Sequence, residues 1–169
     1  MSKNTTIVSV IMNCFNGERY LREAIDSVYA QTHENWEIIF WDNCSFDQSA
    51  IIAQSYDSKL KYFFANKTTP LGEARNLALK KINGEFVAFL DADDYWDPFK
   101  LEKQLSLFKD RYVGLVYTDT NVIYDEKVIK RFYKNFKPPQ GYVFAQVLGS
   151  YFLVLSSVMI FEHSGVQIK

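Results

Sequence analysis

Apolar residues fall in short blocks separated by longer amphipathic stretches. Residues 7–12 (IVSVIM), 36–41 (WEIIFW), 60–65 and 86–90 (FVAFL) are brief runs rich in β-branched and aromatic side chains, and each reads as a buried strand. Between the first two, Leu21, Ala24, Ile25 and Val28 recur at helical spacing and predict a helix over 18–30. Residues 48–56 and 69–82 read as two more helices. The second opens with Pro70 at its first helical position and Glu73 in its first turn, and ends at Asn83-Gly84. Asp97 as N-cap and Pro98 at N1 predict a fourth helix running to about Lys109. Residues 112–124 read as strand, Pro138-Pro139 is a break, and the last thirty residues are apolar.

Strands alternating with helices imply βαβ units, hence an α/β fold with a mostly parallel sheet. Ligands of such sheets sit beyond the carboxyl ends of the strands. Three polar clusters, 13–16, 42–45 and 91–94, each directly follow a predicted strand. The topology therefore gathers them on one edge.

Composition narrows the class. The 169 residues are 48% hydrophobic and 17% aromatic, which suits one packed domain and excludes a disordered chain. Two cysteines thirty residues apart make neither a disulfide framework nor a zinc set, so a reducing, cytoplasmic setting is expected. The N-terminus does not read as a signal peptide. Residues 142–161 carry no charge and are long enough to span a bilayer, but Gln146, Gly149, Ser150, Ser156 and Ser157 interrupt them. The expectation is a buried helix followed by a buried strand. An exposed apolar tail would instead favour a homo-oligomer.

Net charge is −1, so no global field selects a polyanion, and nucleic acid is not expected as a partner. The charge is unevenly spread. Residues 1–99 carry nine basic and fourteen acidic residues, and residues 100–169 carry ten and six. The segment from Lys127 to Lys137 has five basic residues and no acid. It reads as a strand or hairpin with a solvated basic edge. As a helix it would align Lys127, Lys130, Arg131 and Lys134 for peripheral contact with anionic lipid at the inner membrane face.

The chemistry concentrates at Asp91, Asp93, Asp94 and Asp97. Carboxylates this close repel unless a cation compensates, and short Asp side chains suit Mg²⁺ or Mn²⁺ shared with substrate phosphate. Asp97 is needed as a helix cap. Asp91 and Asp93 are expected to do metal or nucleotide work, with a plain polar turn as the alternative. The chain has no G-x-x-x-x-G-K-[ST] and no G-x-G-x-x-G, so a metal held by an Asp pair is the simpler answer to a diphosphate.

Taken in order, Ser9-Val10-Ile11-Met12-Asn13-Cys14-Phe15-Asn16, Asp42-Asn43-Cys44-Ser45, Gly72-Glu73-Ala74-Arg75-Asn76 and Leu90-Asp91-Ala92-Asp93-Asp94 resemble the opening of the inverting family 2 glycosyltransferases. The resemblance covers residues 7–103 and is loose beyond 113. It implies the GT-A fold, a Rossmann-like three-layer sandwich. It also implies transfer of a sugar, with inversion, from a nucleotide-sugar donor, usually a UDP-sugar, to a saccharide or lipid-linked acceptor. By resemblance, the backbone at Asn13 and the ring of Phe15 hold the base, with Asn16 in the same loop. Asn43 stands where the family often has an Asp that accepts from uracil N3–H; an amide could also donate to a cytosine. Asp42 supports this loop, and Arg75 lies near the diphosphate or pairs with Asp91 or Asp42. Asp91 and Ala92 lie near the ribose, and Asp93, with Asp91, holds the metal.

The family's acidic pair that supplies the general base has no counterpart here, and neither Asp119 nor Glu162 matches it. The chain therefore reads as a single GT-A-type domain truncated at its C-terminus. Residues 1–110 form the nucleotide-sugar-binding part and 111–169 begin the acceptor side. The alternatives are a non-catalytic nucleotide-binding fragment and, remotely, a haloacid-dehalogenase-like phosphatase. His33 and His163 read as surface residues, Cys14 and Cys44 as packing, and Tyr95 and Trp96 as sugar-flanking or core.

Overall fold

The computed structural model describes residues 7–110, 112–124, 127–135, 137–143, 156 and 158–161. Strands β1 (Val8–Cys14), β2 (Trp36–Asp42), β3 (Leu60–Phe64) and β4 (Phe86–Phe89) alternate with helices α1 (Leu21–Tyr29), α2 (Ser49–Gln54) and α3 (Leu71–Leu79). Helix α4 (Lys100–Leu107) follows, then β5 (Leu115–Val116), β6 (Asn121–Tyr124), β7 (Lys127–Arg131) and β8 (Met159–Phe161). The main sheet has the order β3-β2-β1-β4-β8-β5, and β6 and β7 pair as a separate hairpin. The first four strands are parallel; β8 runs antiparallel to both β4 and β5.

The alternating strand period sorts the core into two layers. Val10, Met12, Ile38, Phe40, Ala88 and Leu90 face α1, α2 and α4, meeting Leu21, Ile25, Ala53 and Leu101. Ile11, Ile39, Trp41, Val87 and Phe89 face α3, meeting Ala74 and Ala78. With helices on both faces of a mostly parallel sheet, the molecule is the expected α/β three-layer sandwich.

One buried polar cluster interrupts the α3 side. Glu37 accepts from the Ser9 hydroxyl at 2.6 Å and from the Asn83 backbone N–H at 2.7 Å, and pairs with Lys61. Burial pushes its carboxyl up, but the Lys61, Ser9 and Asn83 bonds outweigh this and hold it below its usual range. Gly84 closes the cluster: a Cβ there would sit 2.6 Å from the Ser9 nitrogen, so no other residue fits without backbone movement.

Several elements depart from the sequence reading. Pro70 is the N-cap of α3, not its first helical residue, because its ψ of 145° is extended. Helix α4 begins three residues after Asp97. Asp97 and Pro98 instead form the preceding turn, in which Asp97 Oδ1 accepts from the Phe99 N–H and the Asp97 carbonyl from the Lys100 N–H. The strand expected over 112–124 is two strands, β5 in the main sheet and β6 in the hairpin. The basic segment, by contrast, follows its first reading: Lys127–Arg131 is strand β7 of an exposed hairpin, and the alternative helical alignment of its lysines is not formed. The uncharged run 142–161 ends in β8, while its residues 144–155 and 157 lie outside the described residues. Among the described residues no helix is long and apolar enough to cross a membrane.

Candidate active site

Strand order reverses between β1 and β4: β2 and β3 add on one side of β1, and β4 on the other. This switch point opens a crevice at the carboxyl ends of the strands. The loops after β1, β2 and β4 meet there.

The loop after β1 turns through Asn16, whose φ of 54° is left-handed, a conformation Asn tolerates better than most residues. Asn16 is knitted to the loop after β2. Its N–H donates to Ser45 Oγ at 3.0 Å, and its Oδ1 accepts from the Phe46 N–H at 3.0 Å. Phe15 is half exposed, and its ring meets that of Phe46 edge to face at 6.0 Å, leaving an aromatic surface at the mouth of the crevice. A Cβ on Gly17 would lie 3.3 Å from the Ala92 Cβ, which places the loop after β4 directly against the loop after β1.

Asp42, at the end of β2, is fully buried. Its Oδ1 accepts from the Ser45 N–H at 2.7 Å and its Oδ2 from the Tyr62 hydroxyl at 2.7 Å, so the carboxylate shapes the turn and is closed to a ligand. Burial, then the Asp42 contact, pushes the Tyr62 phenol well above its ordinary value. Asn43 is also buried. Its Nδ2 donates to the Thr69 carbonyl at 2.8 Å, and its Oδ1 accepts from both the Thr69 N–H and hydroxyl, at 3.1 and 3.2 Å. Both Oδ1 lone pairs are thus used, and in this arrangement the amide has no acceptor for a uracil N3–H. Only one Nδ2 hydrogen is left over. Asn13 lies on β1 opposite Trp41, and the Asn13 amide and Trp41 Nε1 are buried with no protein partner among the described residues.

Arg75, on α3, reaches across to Asp91, Nη2 to Oδ1 at 2.8 Å. Of the two expected roles, the ion pair is the one formed, and with Asp91 rather than Asp42. Asp93 is exposed, and no hydrogen bond or ion pair engages its carboxylate among the described residues. Asp94 is partly buried; burial raises its pKa, the Ser156 hydroxyl opposes this, and the charges of Asp91 and Asp93 add to the rise. No group of three His, Cys, Asp or Glu among the described residues could cage a metal. An outward Asp93 beside a charge-balanced Asp91 nevertheless fits a hard cation that takes one or two carboxylates and completes its shell from water and phosphate.

Beyond the acidic loop lies a cleft of about 950 Å³, with Asp93, Asp94 and Tyr95 on one wall and Thr120, Val122 and Lys130 on the other. Trp96 is core: it is buried and donates from Nε1 to the Ser156 carbonyl at 2.8 Å, whereas Tyr95 is half exposed. Asp119 also lines the cleft, but Arg131 engages its Oδ2 from Nη2 at 2.7 Å, and the Thr120 and Tyr133 N–H groups engage its Oδ1. These bonds outweigh the effect of burial and hold its carboxyl below the ordinary range, which makes it a weak base. Glu162 and His163 lie outside the described residues. Cys14 is buried, and burial raises its thiol pKa, as suits a packing residue.

Sequence reasoning named Ser45 only as part of the 42–45 motif, and gave no site role to Thr69 or Ser156. The first two carried a signal, since a polar loop after a strand must satisfy its own backbone. Ser156 did not, because it was one small residue in an apolar run.

Known proteins place this geometry. A 36% identical Rickettsia typhi protein named as an uncharacterized glycosyltransferase matches over 94% of this chain and 50% of its own length. The Escherichia coli enzyme named UDP-Glc:alpha-D-GlcNAc-diphosphoundecaprenol beta-1,3-glucosyltransferase WfgD is 34% identical over 75% of this chain and 50% of its own. The crystal structure of S. aureus TarS 1-349 in complex with UDP-GlcNAc superposes with a TM-score of 0.74 at 24% identity, covering 91% of this chain and 45% of that one. The fold is therefore GT-A. This chain spans about half the length of the two curated relatives. The model of glycosyl transferase family 2 matches residues 9–160, and the chain belongs to that family.

Proposed function

We propose that the chain is the donor-binding part of an inverting glycosyltransferase that takes a sugar from a UDP-sugar and passes it to a saccharide or lipid-linked acceptor. The observation that carries this is the meeting of three loops at the switch point: an aromatic surface at Phe15, the interlocked Asn16 and Ser45 turn, and the Asp91–Asp94 loop with one carboxylate free. UDP and UDP-GlcNAc in the TarS complexes support a uridine donor, and the printed acceptor of WfgD supports a lipid diphosphate. Family membership leaves the phosphatase alternative without support.

In this reading the ring of Phe15 packs on the base, held in place by Phe46. The Asn13 backbone flanks it. Arg75 pairs with Asp91 and orients it, and Asp93 offers its carboxylate to the cation. A bound Mg²⁺ or Mn²⁺ would act as a Lewis acid on the departing nucleoside diphosphate. Displacement in line at the anomeric carbon needs a base for the acceptor hydroxyl, and Asp119, tied to Arg131, is not that base.

Calorimetric titration of UDP, with and without Mn²⁺, into wild type and Asp93→Ala tests the reading. Metal-dependent binding that is lost in the variant is expected. A folded wild type that binds no UDP in either condition would overturn it. Binding without sugar transfer would select the non-catalytic alternative.

A further inference from the structure

Ser156 belongs to the part of the chain farthest in sequence from the donor loops, yet the sheet delivers it to them. The antiparallel pairs Phe86↔Phe161, Val87↔Ile160 and Ala88↔Met159 set the register of β4 and β8. Ser156 lies three residues before Met159 and Asp91 three residues after Ala88, so the two meet just beyond the end of this pairing. The Asp91 N–H donates to Ser156 Oγ at 3.2 Å. The Ser156 hydroxyl lies close enough to Asp94 to oppose the rise that burial gives its carboxyl. Its carbonyl accepts from Trp96 Nε1 at 2.8 Å. Trp96 is itself fixed from α1, its N–H donating to Ser27 Oγ at 3.1 Å, and from α4, with Lys100 Nζ 4.0 Å from its ring centroid.

Ser156 thus holds the acidic loop at its beginning and at its end. The consequence is a sorting of like charges. Asp91 is balanced by Arg75, Asp94 is partly buried beside Ser156, and Asp93 is the most exposed of the three. Without the tether, three neighbouring carboxylates would spread to lower their repulsion, and the outward geometry would be lost. Ser156 is buried at the margin of the cleft, and its hydrogen bonds run to the loop, through which it acts.

We infer that Ser156 is a positioning residue for the donor site, holding the Asp91–Asp94 loop in the arrangement that a cation and a nucleoside diphosphate share. This rests on the donor-site reading above.

The test uses the full chain as wild type, Ser156→Ala and Ser156→Thr. Mn²⁺ affinity is read from the free-ion magnetic resonance signal at saturating UDP, UDP affinity without metal by calorimetry, and loop anchoring by amide hydrogen exchange over 91–96. The expected result for Ser156→Ala is faster exchange at Asp91, Mn²⁺ binding weakened at least about fivefold, and metal-free UDP binding changed by less than about twofold. Ser156→Thr, which keeps the hydroxyl, is expected to restore the Mn²⁺ affinity. Should Ser156→Ala not fold, Ser156→Cys keeps the volume with a weaker bonding group and is read in the same way. Unchanged Mn²⁺ affinity and exchange, or equal losses with and without metal, would overturn the inference. A wild type that binds neither UDP nor Mn²⁺ overturns the donor-site reading and this role together; failure of the role alone shows as equal binding by wild type and variant.

Discussion

The Arg75 guanidinium and the Asp91 carboxylate are joined from α3 to the loop after β4, 2.8 Å apart, so the cation that balances Asp91 is supplied by a different element of the fold. Arg75→Ala is expected to leave Asp91 repelling Asp93 and Asp94 and to weaken UDP binding about tenfold, or ~1.4 kcal/mol. Because the pair is partly solvated, the loss of folding stability is expected to stay under about 1 kcal/mol. Calorimetry and thermal denaturation on the same sample separate the two effects. Unchanged UDP affinity would assign Arg75 to packing alone.

Asn43 ties the turn after β2 to Thr69, just before α3, through three hydrogen bonds. Asn43→Asp keeps the acceptors but sets a carboxylate oxygen against the Thr69 carbonyl. A loss of about 1–3 kcal/mol is expected, as for a buried polar group left unmatched. Denaturant midpoints would measure it. Equal midpoints would mean that the Thr69 bonds contribute little.

Lys100 is 7% exposed, with its Nζ bonded to Gln104 Oε1 at 2.7 Å. Burial draws its pKa down to about 7, against about 10.4 in the unfolded chain. Between these values the unfolded chain holds the extra proton, so stability rises with pH by at most about 1.4 kcal/mol per unit. Below the folded value both states are charged and the full penalty is present. Lys100→Met is expected to flatten the rise between about pH 7 and 10. Denaturation at several pH values in that window would show it, and parallel profiles for the two proteins would count against it.

Glu37 gives the opposite limb. Its carboxyl lies below the ordinary value in the folded state, so its contribution is present above the unfolded pKa and fades as pH falls through the folded one. Glu37→Gln should lower stability at neutral pH by about 1–3 kcal/mol and narrow its gap to wild type in acid. Thermal melts across the acid range would reveal a constant gap if Glu37 were only filling space.

The parallel half of the molecule was legible in sequence because each strand is a short apolar run ended by a polar cluster, as at Leu90-Asp91 and Trp41-Asp42. Those same junctions announced the site. The rest was less legible for physical reasons. Strand β5 is two residues long and gains its place only by pairing with β8, so local pattern could not separate it from β6. Asn43 looked like a base-contacting residue because its partner, Thr69, is 26 positions away. Arg75 had two plausible anions, and only the geometry chooses Asp91.

Strand β8 lies between β4 and β5, although more than forty residues separate it in sequence from β5. During synthesis the first four strands can assemble as soon as they emerge, but the outer edge of β4 must then wait. Until Met159–Phe161 arrives, that edge offers unpaired backbone groups to any passing strand. Of the sheet's described strands, β8 is the last to leave the ribosome, and its pairing brings the hydroxyl of Ser156 to the acidic loop. A nascent chain therefore carries its acidic loop well before the residue that anchors it.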